Sequence, residues 1–192
     1  MAAKPGERRL QILQTLAAML ENPRAEKVTT AALAAKLDVS EAALYRHFAS
    51  KAQMYEGLIE FIETTLFTLV NKIVSDTANG AAQAQQIVNV LLGFAEKNPG
   101  MTRVLIGDAL VNEDERLQSR VNQLLDRLEA SVRQSARLAA SAGGFPADWD
   151  TNAYANAIIA FVIGRWHQFA KSGFKRDPLE SWDAQWKQLT PV

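Results

Sequence analysis

Apolar residues recur along this chain at spacings of three and four, and no run of alternating apolar and polar positions of any length interrupts them, so the pattern predicts an all-α protein. The first helix is expected over Glu7–Glu21, with Leu10, Leu13, Ala17 and Leu20 on one face, widened by Ile12, Leu16 and Met19, and Asn22-Pro23 as its stop. Two short helices follow in TTAALAAKLDVSEAALYRHFASK, residues 29–51. Thr29 or Thr30 caps the first, which buries Leu33 and Leu37; Ser40 caps the second, Glu41–Phe48, with Leu44 and Phe48 inward. Asp38 takes the turn position where glycine is easier, and Val39 plugs the turn. Ser50 then opens a long amphipathic helix to Val74, with Gln53 completing a capping box and Met54, Leu58, Phe61, Ile62, Leu66, Leu69 and Ile73 as its stripe.

Beyond it, residues 76–84 read as a loop, Gln85–Asn98 as a helix closed by Asn98-Pro99-Gly100, and Thr102–Val111 as a shorter one. Glu113–Ser141 is a long helix, Gly143-Gly144 breaks the chain, and Thr151–Lys171 is the last long helix. That helix mixes small residues (Ala153, Ala155, Ala157, Ala160, Gly164) with Tyr154, Ile158, Phe161 and Trp166. Such a mixture suits close helix approach, either in a four-helix interface of a twofold dimer or in an intrachain core. The expected organisation is a three-helix head, residues 1–52, and a helical body, residues 53–192.

The two short capped helices form a helix-turn-helix, which points to duplex DNA. Ser40, Glu41, Ala42, Tyr45 and Arg46 face outward, as a recognition helix requires; Tyr45, Arg46, His47 and Lys51 form a phosphate clamp, and Thr29 and Thr30 lie at the opening turn of the first motif helix. Arg8 and Arg9 either reach a phosphate or minor groove or stand as solvated surface charges.

The zero net charge of the 192 residues changes meaning once divided. Residues 1–52 hold eight Lys/Arg against five Asp/Glu, so a head of +3 sits on a body of −3, a distribution that orients the molecule toward phosphate. A hydrophobic content of 48% suits a packed core, and the most apolar segment, 153–164, is far short of a membrane span. The chain has no cysteine, and its N-terminus lacks a secretory apolar region, so a cytoplasmic location is expected. His47 and His167 have no His, Asp or Glu at a metal-ligand offset, and no phosphate loop or nucleophile elbow is present; an enzyme, a metal and a cofactor are not expected. Glu113, Asp114 and Glu115 read as a solvated charge run or dipole partners at a helix start.

The head resembles the TetR family of transcriptional regulators through Thr-Thr-Ala-Xaa-Leu-Ala, Val39-Ser40 and Leu44-Tyr45-Arg46-His47-Phe48 followed by Ser50-Lys51. The resemblance implies a helix-turn-helix head and a homodimeric helical body, and hence palindromic DNA sites. Four stretches are similar to a narrower branch, the nucleoid occlusion factors: VSEAALYRHF (39–48), LIEFIE (58–63), LLGFAEKNPGMTR (91–103) and RVNQLL (120–125). This likeness implies a nucleoid-associated protein that contacts the division protein FtsZ and blocks Z-ring assembly over the chromosome. The implied partner surface carries Phe61, Gly93, Lys97 and Asn98; Leu69 and Lys97 depart from the branch, which has a basic residue and an arginine there. The alternative is a ligand-responsive repressor whose body pocket is lined by Phe94, Trp149, Tyr154 or Trp166, although a small-molecule ligand is not expected.

Overall fold

The computed structural model describes residues 5–22, 28–146 and 148–190. Among these there are helices and turns and no strand: α1 (Pro5–Leu20), α2 (Thr30–Lys36), α3 (Glu41–Tyr45), α4 (Lys51–Asp76), α5 (Gly80–Lys97), α6 (Pro99–Leu105), a 3₁₀ turn (Asp108–Leu110), α7 (Glu115–Ser141), α8 (Thr151–Lys171) and α9 (Trp182–Leu189). The all-α expectation holds. Pro23, half of the expected stop of α1, lies outside the described residues.

Contacts divide the chain into two compact units, Met1–Ile62 with Asn98–Val121, and Glu63–Lys97 with Asn122–Val192. The first contains the expected head and adds the opening of α4, all of α6 and the start of α7. In it α1 turns Ile12, Leu16, Ala17 and Leu20 inward, whereas Leu10 is 43% exposed. The expected stripe is therefore rotated: the i, i+4 ridge 12–16–20 meets the neighbours, and Leu10 falls outside that arc. Helix α6 packs on α1, and Gly100 lies so close to the Ala17 carbonyl that no side chain fits between them. Pro99 accordingly begins a helix as well as ending one, since a proline at the first position loses no hydrogen bond. Gly107, at φ 78°, then stops α6 earlier than the apolar pattern implied.

In the second unit α5 packs on α8. The expected loop over residues 76–84 is mostly helix, because the Asn79 side chain accepts the Ala82 N–H at 2.9 Å and opens α5 at Gly80, five residues before the expected start at Gln85. The fully buried Trp166 donates its indole N–H to the Leu91 carbonyl at 3.0 Å. Ser135 on α7 donates to Gln83 Oε1 on α5 at 3.0 Å, and the Gln83 amide in turn donates to the Thr77 carbonyl at 2.6 Å. Asp150 caps α8 by accepting from Asn152 and Ala153.

The sequence pattern assigned nothing after Lys171, yet α9 buries Trp182 and Trp186. The Arg165 side chain, 6% exposed, fixes the approach to α9 by donating to the carbonyls of Asp177, Pro178 and Glu180. The Trp182 ring stacks on Phe161 with centroids 6.0 Å apart. The i, i+4 spacing of the two tryptophans was the available signal.

Candidate nucleic-acid interface

Each motif helix starts with the cap its sequence provides. The Thr29 hydroxyl accepts the Ala32 N–H at 3.1 Å, and the Ser40 hydroxyl accepts the Ala43 N–H at 3.3 Å. Asp38 adopts the left-handed conformation at φ 54°, so that the Val39 N–H reaches back to the Ala34 carbonyl at 3.0 Å. Helix α3 ends at Tyr45 rather than at Phe48, because the N–H groups of both His47 and Phe48 converge on the Leu44 carbonyl and tighten the last turn. Leu44 and Phe48 are each 1% exposed and anchor the motif, while Ser40, Glu41, Ala42, Tyr45 and Arg46 are exposed.

Several polar side chains in this region engage one another. Thr30 donates to a Glu41 carboxylate oxygen at 2.6 Å, which joins the first turns of α2 and α3. Arg9 is exposed but tied back to the head: its guanidinium lies 4.2 Å from the centroid of Phe48 and donates to the His47 carbonyl at 2.7 Å. Arg8 donates to Gln11. The His47 side chain is half-buried. At the head of α4, Ser50 accepts the Gln53 N–H and the Gln53 side chain accepts the Ala49 N–H, a capping box closed one residue before the position expected.

Lys51 departs most from the sequence pattern. Its ammonium lies 2.6 Å from Glu113 Oε1, and the two side chains are 21% and 8% exposed. Glu113 is thus not part of a solvated charge run; it is turned inward, 62 residues along the chain from its partner. Lys51 also lies 5.7 Å from the centroid of Tyr55. Burial pushes the Tyr55 phenol far above its ordinary range, Glu113 adds to the shift and Arg103 opposes it. The rest of the acidic run stays at the surface: Glu115 is exposed in the first turn of α7, and Asp114 pairs with Arg116 at 2.7 Å.

Among the residues implied for a protein partner, Phe61 is 39% exposed, whereas Leu58, Ile59 and Ile62 around it are fully buried. It is therefore the outward apolar member of LIEFIE, and Leu69, at 40%, also leaves the expected core stripe. Phe61 and Asn98 belong to the first unit; Gly93, half-exposed, and Lys97, exposed at the end of α5, belong to the second. Of the aromatics expected around a ligand pocket, Phe94 and Trp166 are buried, and Trp149 and Tyr154 pack edge-on against each other and Phe145. Among the described residues no group of three or more His, Asp or Glu could hold a metal ion, and no helix is long and apolar enough to cross a membrane.

A capped helix-turn-helix on an all-helical body defines the TetR class of regulators, and the comparisons agree. Residues 25–58 match the model for bacterial regulatory proteins of the tetR family, and residues 79–191 match the SlmA-like model, described as a tetracyclin repressor-like C-terminal domain. Among solved structures, the fatty acid degradation regulator FadR from Bacillus halodurans superposes with a TM-score of 0.80 at 13% identity, covering 99% of this chain and 97% of that one. The TetR family regulator PfmR from Thermus thermophilus does so with a TM-score of 0.76 at 18% identity, covering 99% and 97%. At those identities the likeness shows the fold alone.

The sequence relatives are closer. The nucleoid occlusion factor SlmA of Alteromonas mediterranea is 50% identical over 185 residues, 96% of this chain and 95% of that protein. That of a Marinomonas species is 49% identical over 189 residues, 98% and 96%. The chain belongs to the SlmA family of nucleoid occlusion factors.

Proposed function

We propose that this protein is a sequence-specific, nucleoid-associated DNA-binding factor that acts as a homodimer on palindromic sites and, when bound there, engages FtsZ and blocks Z-ring assembly. The observation that carries the DNA reading is the exposed row Ser40, Glu41, Ala42, Tyr45 and Arg46, set on a short helix that Leu44 and Phe48 hold from beneath. The near-full-length identity to proteins named nucleoid occlusion factor supports the cellular role. On α8 the small residues divide: Ala155 is buried, while Ala153, Ala157, Ala160 and Gly164 are exposed. An open groove lined by Leu125, Glu129, Asn156, Ile159, Ala160 and Ile163 runs between α7 and α8. Both features favour close approach of a second copy, which would set two heads at half-sites roughly 10 bp apart. Phe61, an exposed aromatic beside fully buried neighbours, is our leading candidate for contact with FtsZ.

One experiment tests the reading. Duplexes are selected from a random pool, and FtsZ polymerisation is then followed with the protein and either the selected or a scrambled duplex. Inhibition that needs the selected duplex, and that Phe61→Ala and Asn98→Ala abolish without weakening DNA binding, is the expected result. A pool that yields no inverted repeat, or inhibition indifferent to both substitutions, would overturn it.

A further inference from the structure

Lys51 is expected to hold phosphate, yet its ammonium already has an anion of its own. The Glu113 carboxylate sits 2.6 Å away, and its side chain is 8% exposed. Lysine is a compact charge on a flexible four-carbon stem, and at 21% exposure this one retains a path to solvent. Glu113 has no such freedom: it lies between the 3₁₀ turn and α7, its N–H bonded to the Leu110 carbonyl at 3.0 Å. An ammonium that moves out to a phosphate therefore leaves the carboxylate behind.

We propose that Glu113 is an internal competitor for DNA, occupying Lys51 in the free protein so that binding exchanges a carboxylate for a phosphate. The inference rests on the reading that Lys51 contacts the DNA backbone. The net gain from Lys51 is then the difference between two ion pairs, and the affinity of the head is set below what its cations alone would give. Since phosphate carries no sequence information, the restraint acts on every duplex alike and limits non-specific binding without altering base preference. Glu113 is a positioning residue in this scheme; it touches no DNA.

The test measures binding by fluorescence anisotropy, over a salt series, to a duplex selected by the wild-type protein and to a scrambled one, with each affinity normalised to the active fraction found by stoichiometric titration. Glu113→Gln keeps the size of the side chain and removes its charge; Glu113→Asp keeps the charge but withdraws it by a methylene. We expect Glu113→Gln to bind both duplexes about three- to thirtyfold more tightly and Glu113→Asp to fall between it and wild type. Lys51→Met should weaken both duplexes equally and lower the salt slope by about one, and adding Glu113→Gln to it should change nothing further. If Lys51→Met binds as wild type does, the phosphate reading of Lys51 fails and the exchange with it. If Lys51→Met weakens binding but the Glu113 variants leave affinity unchanged or lower it, the exchange alone is overturned and Glu113 only orients the lysine.

Discussion

Both units are locked by polar contacts between residues far apart in the chain, but they use different chemistry. The first unit uses ions. Lys51 meets Glu113, and Arg103 holds Asp108 at 2.9 Å while donating to the carbonyls of Leu20 and Asn22. The second unit joins distant segments through neutral groups, the Gln83–Ser135 hydrogen bond and the Trp166 indole on the Leu91 carbonyl, and its buried cation, Arg165, donates to backbone carbonyls rather than to a carboxylate. Its pair between Arg127 and Glu63 lies at the rim, with the arginine side chain 58% exposed. The difference teaches what each lock can be used for. A cation in a half-buried ion pair can trade its partner for another anion, whereas a neutral hydrogen bond sealed from water has no competitor to trade with.

The largest effect should come from the tightest seat in the first unit. A Cβ at Gly100 would meet the backbone of Ala17, which cannot yield as a side-chain tip can. Gly100→Ala should therefore destabilise by about 3 kcal/mol, and Gly164→Ala, where nothing lies within 4 Å, should not destabilise at all. Urea unfolding midpoints of the two variants decide it, and equal midpoints would remove the α1–α6 seat from the account.

Next comes the ionic lock itself. Arg103→Met removes the arginine's ion pair with Asp108 and its hydrogen bonds to two backbone carbonyls and should destabilise by about 2 kcal/mol. Its neutral counterpart, Ser135→Ala, should cost about 1 kcal/mol. Measured by the same unfolding, an arginine variant no worse than the serine variant would break the contrast between the units.

The smallest effect isolates charge without burial. The Arg116 side-chain hydrogen bond, followed by its backbone N–H, holds the Asp114 carboxyl at about 2, below its usual 3.8. A lowered carboxylate stabilises the fold above its ordinary value and ceases to do so as pH falls toward 2, so the benefit of the Asp114–Arg116 pair should fade across that window. Carboxyl carbon NMR of Arg116→Ala should show Asp114 moving back up toward its usual range, with little change in stability at neutral pH because the pair is exposed. A large stability loss at neutral pH would show that charge, rather than burial, makes the lock.

Much of this was legible in the sequence, for a common reason. Caps at Thr29, Ser40 and Ser50, the turn at Asp38, the anchors Leu44 and Phe48 and the boundaries of α8 are consequences of local chain chemistry, in which a side chain meets backbone within a few residues. The class of fold and the outward row on α3 follow from that same local order. Tertiary structure decided which face of α1 was buried, that α9 existed at all, and what anion Lys51 met. It also laid the exposed Arg9 against Phe48, and left Phe61 outside when its three apolar neighbours went in. Helical periodicity marks a broad apolar arc without saying which part a neighbour will cover, and an ion pair spanning 62 residues leaves no trace in the spacing of either partner. Such contacts exist only once distant segments are brought together by packing.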